Sequence, residues 1–174
     1  MNELAIVLHK NNEVDTALKY YKKALLCMKR KHKNKYVIQP ETAKIIINIA
    51  TLYYMQSNIK EAIYYYKHAL DVLYKVAIKD QEVYEQRGKV HMSLANLNKV
   101  QGNLQEAKLH YQACIEQFEP CDQKNEVRIE SESEQMAVVE HVTISDLMLE
   151  ARHEIKQIEN NALGGVFSMK RNRK

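Results

Sequence analysis

Ala50–Leu70 reads ATLYYMQSNIKEAIYYYKHAL, and the chain carries that stretch three times in related form. One counterpart precedes it, Ala5–Leu25 (AIVLHKNNEVDTALKYYKKAL), and one follows it, Ala95–Ile115 (ANLNKVQGNLQEAKLHYQACI). Four columns align. A small residue opens each stretch (Ala5, Ala50, Ala95) and a second Ala follows (Ala17, Ala62, Ala107). Then come a Tyr (Tyr21, Tyr66, Tyr111) and another small residue (Ala24, Ala69, Cys114), every column advancing by 45 residues. A fixed step in this range marks stacked repeats.

Before the middle of the central stretch, Ile46, Ile49, Ala50 and Tyr53 recur at helical spacing; after it, Ala62, Ile63, Tyr66, Ala69 and Leu70 do the same. Between them lies a polar break, Gln56-Ser57-Asn58, matched by Gln101-Gly102-Asn103 in the third stretch. Each unit therefore reads as two antiparallel helices joined by a tight turn. Small residues on the facing sides bring the axes to the short end of the usual range of about 8–10 Å.

These columns resemble the tetratricopeptide repeat. The resemblance rests on Ala50, Ser57, Ala62, Tyr66 and Ala69 in one unit and on Ala95, Gly102, Ala107, Tyr111 and Cys114 in the next. The usual repeat of that family is about 34 residues, so each unit here has about eleven more. They follow the second helix, which looks lengthened through Leu70–Val76. Gln39-Pro40-Glu41-Thr42-Ala43 is similar to the junction of the long repeats in kinesin light chains and related adaptors, with Gln where those have His. The resemblance implies an all-α fold. Three antiparallel helix pairs over residues 1–120 stack into a right-handed superhelix, followed by a C-terminal capping helix.

Composition agrees with an all-helical chain: 174 residues hold only four Gly and two Pro. No apolar run is long enough to span a membrane, and the first twenty residues, with Lys10, Glu13 and Asp15, do not read as a secretory signal. Three cysteines without a paired motif suit a reducing, cytoplasmic setting, and Cys114 stands in a column otherwise filled by Ala. The first helix holds about ten residues, with Met1, Leu4, Ala5 and Leu8 as its apolar face. Such an open end suggests a frayed helix, a piece of a longer repeat protein, or a packing partner. Residues 29–35 are mostly cationic; they suit the end of a long second helix and a solvated loop, with a nuclear address as the alternative.

From residue 121 the repeat stops. Residues 121–160 hold ten acidic and four basic side chains, a net charge of −6, whereas residues 1–120 carry +6. Ile129, Met136, Val139, Val142, Leu147, Ala151, Ile155 and Ile158 fit one or two amphipathic helices. The expected role is a cap on the third unit, with insertion of this acidic segment into a basic groove as the alternative. Residues 161–174 read as a disordered basic tail, with a nuclear address in the basic run 170–174 as the alternative.

No catalytic motif is present: no P-loop, no Gly-rich dinucleotide turn, no HExxH. The seven His are scattered, and no cofactor, metal or small-molecule substrate is expected. What remains is binding. In the repeats that the chain resembles, five positions of each first helix point into a concave groove. Carried over, these are Lys44, Ile47, Thr51, Tyr54 and Met55 in the second unit and Lys89, Met92, Asn96, Lys99 and Val100 in the third. The first unit contributes Ile6, His9 and Lys10. Asn48 stands where long-repeat adaptors often hold peptide backbone, with Ser93 at the matching place. Four lysines and no acid imply a protein partner with acidic segments and apolar anchors. The resemblance to long-repeat adaptors adds a motor, ciliary or trafficking context. The competing readings are a histone-chaperone-like binder of basic proteins through residues 121–160, and a structural subunit of a large complex. Nucleic acid fits less well, because the basic run has only Tyr36 near it for stacking.

Overall fold

The computed structural model describes residues 2–31, 38–77, 80–129 and 143–171. Among them every regular element is an α-helix: α1 Asn2–Lys10, α2 Val14–Lys31, α3 Pro40–Met55, α4 Ile59–Lys75, α5 Gln81–Val100, α6 Leu104–Ile129 and α7 Ile144–Arg171. The fold is all-α and of the helical-repeat type. The chain divides into two compact units, residues 1–83 and 84–174. Unit 1 contains the pairs α1/α2 and α3/α4; unit 2 contains most of α5 together with α6 and α7.

The turns repeat as faithfully as the columns. Asn12 (φ 61°), Ser57 (φ 58°) and Gly102 (φ 79°) are each left-handed and stand 45 residues apart. At each turn that residue donates its N–H to the carbonyl three back, and the next residue donates to the carbonyl five back. The bonds are Asn12 to His9 and Glu13 to Leu8, Ser57 to Tyr54 and Asn58 to Tyr53, Gly102 to Lys99 and Asn103 to Asn98. This pair of bonds is the Schellman motif, which satisfies carbonyls that a helix end otherwise leaves open. The second helix then starts at once, with the N–H groups of Ala17, Ala62 and Ala107 on the carbonyls of Glu13, Asn58 and Asn103. The second Ala column thus lies in the first turn of each second helix, and all three are fully buried.

In unit 1, α2 lies against both α1 and α3. Ala5, Ala17, Tyr21 and Ala24 share one core with Ile45, Ile49 and Leu52. Tyr53 stacks on Tyr65 of its own partner helix, centroids 5.3 Å apart. In unit 2, Ala95, Ala107, Tyr111, Cys114 and Phe118 pack with Met148, Ala151 and Ile158 of α7. Gly88 of α5 is buried, and a Cβ there would come within 2.5 Å of the Phe118 ring. Burial pushes the Cys114 thiol up to about 12, as befits a small core residue.

α7 caps this unit with the face the sequence points to. Ala151 and Ile158 are buried and Leu147 and Ile155 half-buried, while Met148 joins the core without having been singled out. Met136, Val139 and Val142 lie outside the described residues, as does the side chain of Ile129. A capping box starts α7: Thr143 N–H donates to Asp146 Oδ2 (2.9 Å), and Asp146 N–H donates to Thr143 Oγ1 (3.1 Å).

Two expected boundaries shift. The helix expected to end the third unit near residue 120 runs through Pro120 to Ile129. Pro120 and Glu116 are both exposed, so solvent can serve the carbonyl that the proline leaves without a donor. α7 likewise continues through residue 171, well into the stretch read as a disordered tail. An existing helix gains one backbone bond for each residue added, without a new nucleus, and no proline interrupts it there. The basic run 29–35 is helical as far as Lys31, and residues 32–37 lie outside the described set.

Candidate peptide-binding site

The Tyr column builds the site. Each of these tyrosines is buried and needs a partner for its hydroxyl. In the second repeat Tyr66 Oη meets Thr51 Oγ1 at 3.0 Å. In the third, Tyr111 Oη donates to Asn96 Oδ1 at 2.5 Å, and Asn96 is the 45-residue counterpart of Thr51. The first-repeat counterpart is Ile6, which has no polar atom to offer. Tyr21 Oη instead accepts from Asn48 Nδ2 of α3 at 3.2 Å. Burial raises the Tyr21 pKa above its ordinary value, with the Asn48 bond opposing, so the phenol keeps its own proton to donate.

Above this pair opens a cavity of about 560 Å³. α1 contributes Ile6, His9 and Lys10, and its terminal turn Asn12; Tyr21 closes the floor, and α3 supplies Asn48 and Met55. The His9 ring sits edge-on to Tyr21, centroids 6.4 Å apart. The lining combines an apolar floor with a lysine, two amides and an imidazole, and no described lining residue is acidic. Such a surface can hold an extended backbone on the Asn48 amide and a carboxylate near Lys10. The first-helix positions Ile6, His9, Lys10, Asn48 and Met55 all line it. Tyr21 and Asn12 were missed, although Ile6 in a column otherwise holding Thr51 and Asn96 was a visible signal.

The other expected groove residues are placed differently. Lys44 lies 2.5 Å from Glu82, Lys89 lies 3.7 Å from Glu85, and Lys99 lies 2.6 Å from Glu154 of α7. A groove without acids is therefore not what the side chains form; three of its four lysines have carboxylates beside them. Such exposed pairs contribute only about 0–1 kcal/mol each, so an incoming carboxylate can exchange with them but gains little. Thr51 is engaged by Tyr66 and also donates to the Ile47 carbonyl, and Ile47 is half-buried. Tyr54 is 53% exposed. In unit 2, Met92 belongs to the core beneath α7, and Asn96 is held by Tyr111. Ser93 donates to its own backbone at Lys89 rather than outward.

Unit 2 also holds a histidine pair, His91 buried and His110 half-buried. His91 Nδ1 lies 3.0 Å from His110 Nδ1, so one imidazole donates to the other. Burial, then His110, then Arg87 press the His91 pKa down to about 4. Among the described residues no cluster of three or more metal-ligating side chains occurs, and no helix is long and apolar enough to cross a membrane.

A family model described as tetratricopeptide repeat matches residues 1–75. Residues 1–75 thus match the tetratricopeptide repeat. The matched segment contains every residue that lines the cavity. No curated protein matches the sequence. Among solved structures, the crystal structure of BtubC (BKLC) from P. vanneervenii is similar, with a TM-score of 0.56 and 15% sequence identity. The match covers 96% of this chain and 62% of that one, so this chain spans less than two thirds of that protein's length. At this identity the likeness is one of fold. Tetratricopeptide repeats generally mediate protein–protein interaction and are typically non-catalytic.

Proposed function

We propose that this chain is a non-enzymatic adaptor or scaffold of the long-repeat class that binds an extended, acidic peptide segment in the cavity of unit 1. The observation that carries the reading is the cavity lining. Lys10 projects there with no ion pair among the described residues, beside Asn48 anchored on Tyr21 and between the apolar Ile6 and Met55. The apolar walls would carry most of the affinity, and Lys10 the choice of partner and the on-rate. Three free cysteines suit a reducing compartment such as the cytoplasm. The reading as a binder of basic proteins has less behind it, since Glu154 and Glu159 of α7 already face Lys99 and Lys108.

Selection of peptides from a displayed random library on the full chain tests this. The selected peptides should pair an acidic residue with an apolar one. Lys10→Glu should weaken them about tenfold, and Asn48→Ala by a similar factor, whereas Lys99→Glu should leave them unchanged. Basic consensus peptides, or affinities indifferent to Lys10, would overturn the reading.

A further inference from the structure

The sequence leaves the basic helix α2 short of aromatic neighbours; the fold supplies them. α2 carries Lys19, Lys22, Lys23, Lys29, Arg30 and Lys31 against one acid, Asp15, which accepts from Gln56 Nε2 at 2.6 Å. Lys22 and Lys23 follow Lys19 by three and four residues, so the three share a face, and all are exposed. None of the three has an ion pair among the described residues.

Rings from two other helices meet these cations. Lys22 Nζ donates to Tyr53 Oη of α3 at 2.6 Å, across 31 residues of sequence. The Tyr53 ring stacks on Tyr65 of α4, and Tyr64 stands edge-on to Tyr65 with centroids 5.2 Å apart. Tyr64 is 62% exposed, whereas Tyr53 and Tyr65 are half-buried, so the outermost ring rests against anchored ones. On α2 itself, Lys23 Nζ lies 5.5 Å from the centre of the Tyr20 ring. Along α4 the acids Glu61 and Asp71 are matched by Lys60, Lys67 and Lys75, and Lys75 lies 2.7 Å from Asp71. None of these residues lines the cavity.

We propose that this surface of α2, α3 and α4 binds single-stranded nucleic acid. Lys19, Lys22 and Lys23 take the phosphates, and a base stacks on Tyr64. An acidic peptide would pair with the lysines and leave the exposed ring idle. A duplex would offer phosphates but keep its bases stacked on one another. A single strand uses both halves of the surface. The surface is separate from the cavity, and the proposal does not rest on peptide binding there.

The test uses the full chain and labelled single strands of about 15 nucleotides, oligo(dT) and oligo(U), followed by fluorescence anisotropy at several salt concentrations. Saturable binding is expected at low salt, and tighter binding of either strand supports the proposal and names the sugar. Lys19→Gln with Lys22→Gln and Lys23→Gln should lower the slope of log affinity against log salt by about 2, at roughly 0.7 per phosphate contact. Tyr64→Ala should weaken binding about tenfold and leave that slope unchanged. Lys10→Gln, in the cavity, should change neither. All four substituted residues of the surface are exposed, so melting temperatures should match the parent; Tyr64→Leu serves if Tyr64→Ala does not. Absence of binding, equal binding of a duplex of the same length, an unchanged salt slope in the lysine variant, or indifference to both Tyr64 variants overturns the proposal. Binding of vesicles rich in anionic lipid without binding of either strand would make the surface a membrane contact, and overturns it as well. Loss of acidic-peptide binding at Lys10 is read independently, so the two proposals fail separately.

Discussion

Units 1 and 2 are built from the same repeat, yet their first helices are engaged differently. In unit 1 the Tyr21 hydroxyl reaches across to Asn48, because Ile6 cannot bond it, and a cavity lined by α1, α2 and α3 remains above the pair. In unit 2 the Tyr111 hydroxyl is satisfied by Asn96 within its own helix pair. There α7 seals Met92 into the core and sets Glu154 on Lys99. One side chain on the first helix and one added helix make the two faces differ. Repeat identity alone does not assign function to a unit.

The comparison breaks first at the unit 2 core. Phe118→Ala should destabilise by about 3–5 kcal/mol, because it empties the space between α5, α6 and α7. Urea denaturation followed by hydrogen exchange should show the loss in residues 84–121 and 143–162, with α1–α4 little changed. A loss below about 1 kcal/mol would mean that this core is not packed as described. Gly88→Ala probes the same contact from the other side. The new methyl group would meet the Phe118 ring, for an expected loss of about 1–3 kcal/mol, partly relieved by adding Phe118→Leu.

Acid should separate the units next. The folded His91 value, about 4, lies below the unfolded one near 6.5, so the unfolded chain binds the proton better. The neutral histidine is fully compatible with the fold above about pH 6.5, and stability is lost as pH falls from there toward 4. Between pH 7 and 5 the expected loss is about 1–2 kcal/mol. His91→Asn should flatten that slope whatever it does to stability at pH 7. A slope that survives the substitution would locate the acid sensitivity elsewhere.

The turns provide the finest comparison. Ser57 holds a left-handed backbone that suits glycine, and Gly102 already is one. Ser57→Gly should gain a few tenths to about 1 kcal/mol, and Gly102→Ala should lose about 1 kcal/mol. Thermal melts of the two single variants check both signs. The same sign in both would show that the two turns are not equivalent.

The period, the helix pairs, the turns at Ser57 and Gly102, and the capping face from Leu147 to Ile158 were legible in the sequence. They depend on local spacing: a helix must place small residues on one side to pair closely, and a chain must turn where its apolar pattern breaks. Asn12 stands one period before Ser57, so the first turn follows from the same step. Other features depended on distances between helices that spacing does not encode. The carboxylates beside Lys44, Lys89 and Lys99 are one case, the Tyr21–Asn48 bond another, and the sealing of Met92 a third. A charge column read from sequence shows which side chains share a helix face. Only the tertiary structure decides which opposite charge lies within reach of it, and whether another helix has covered that face.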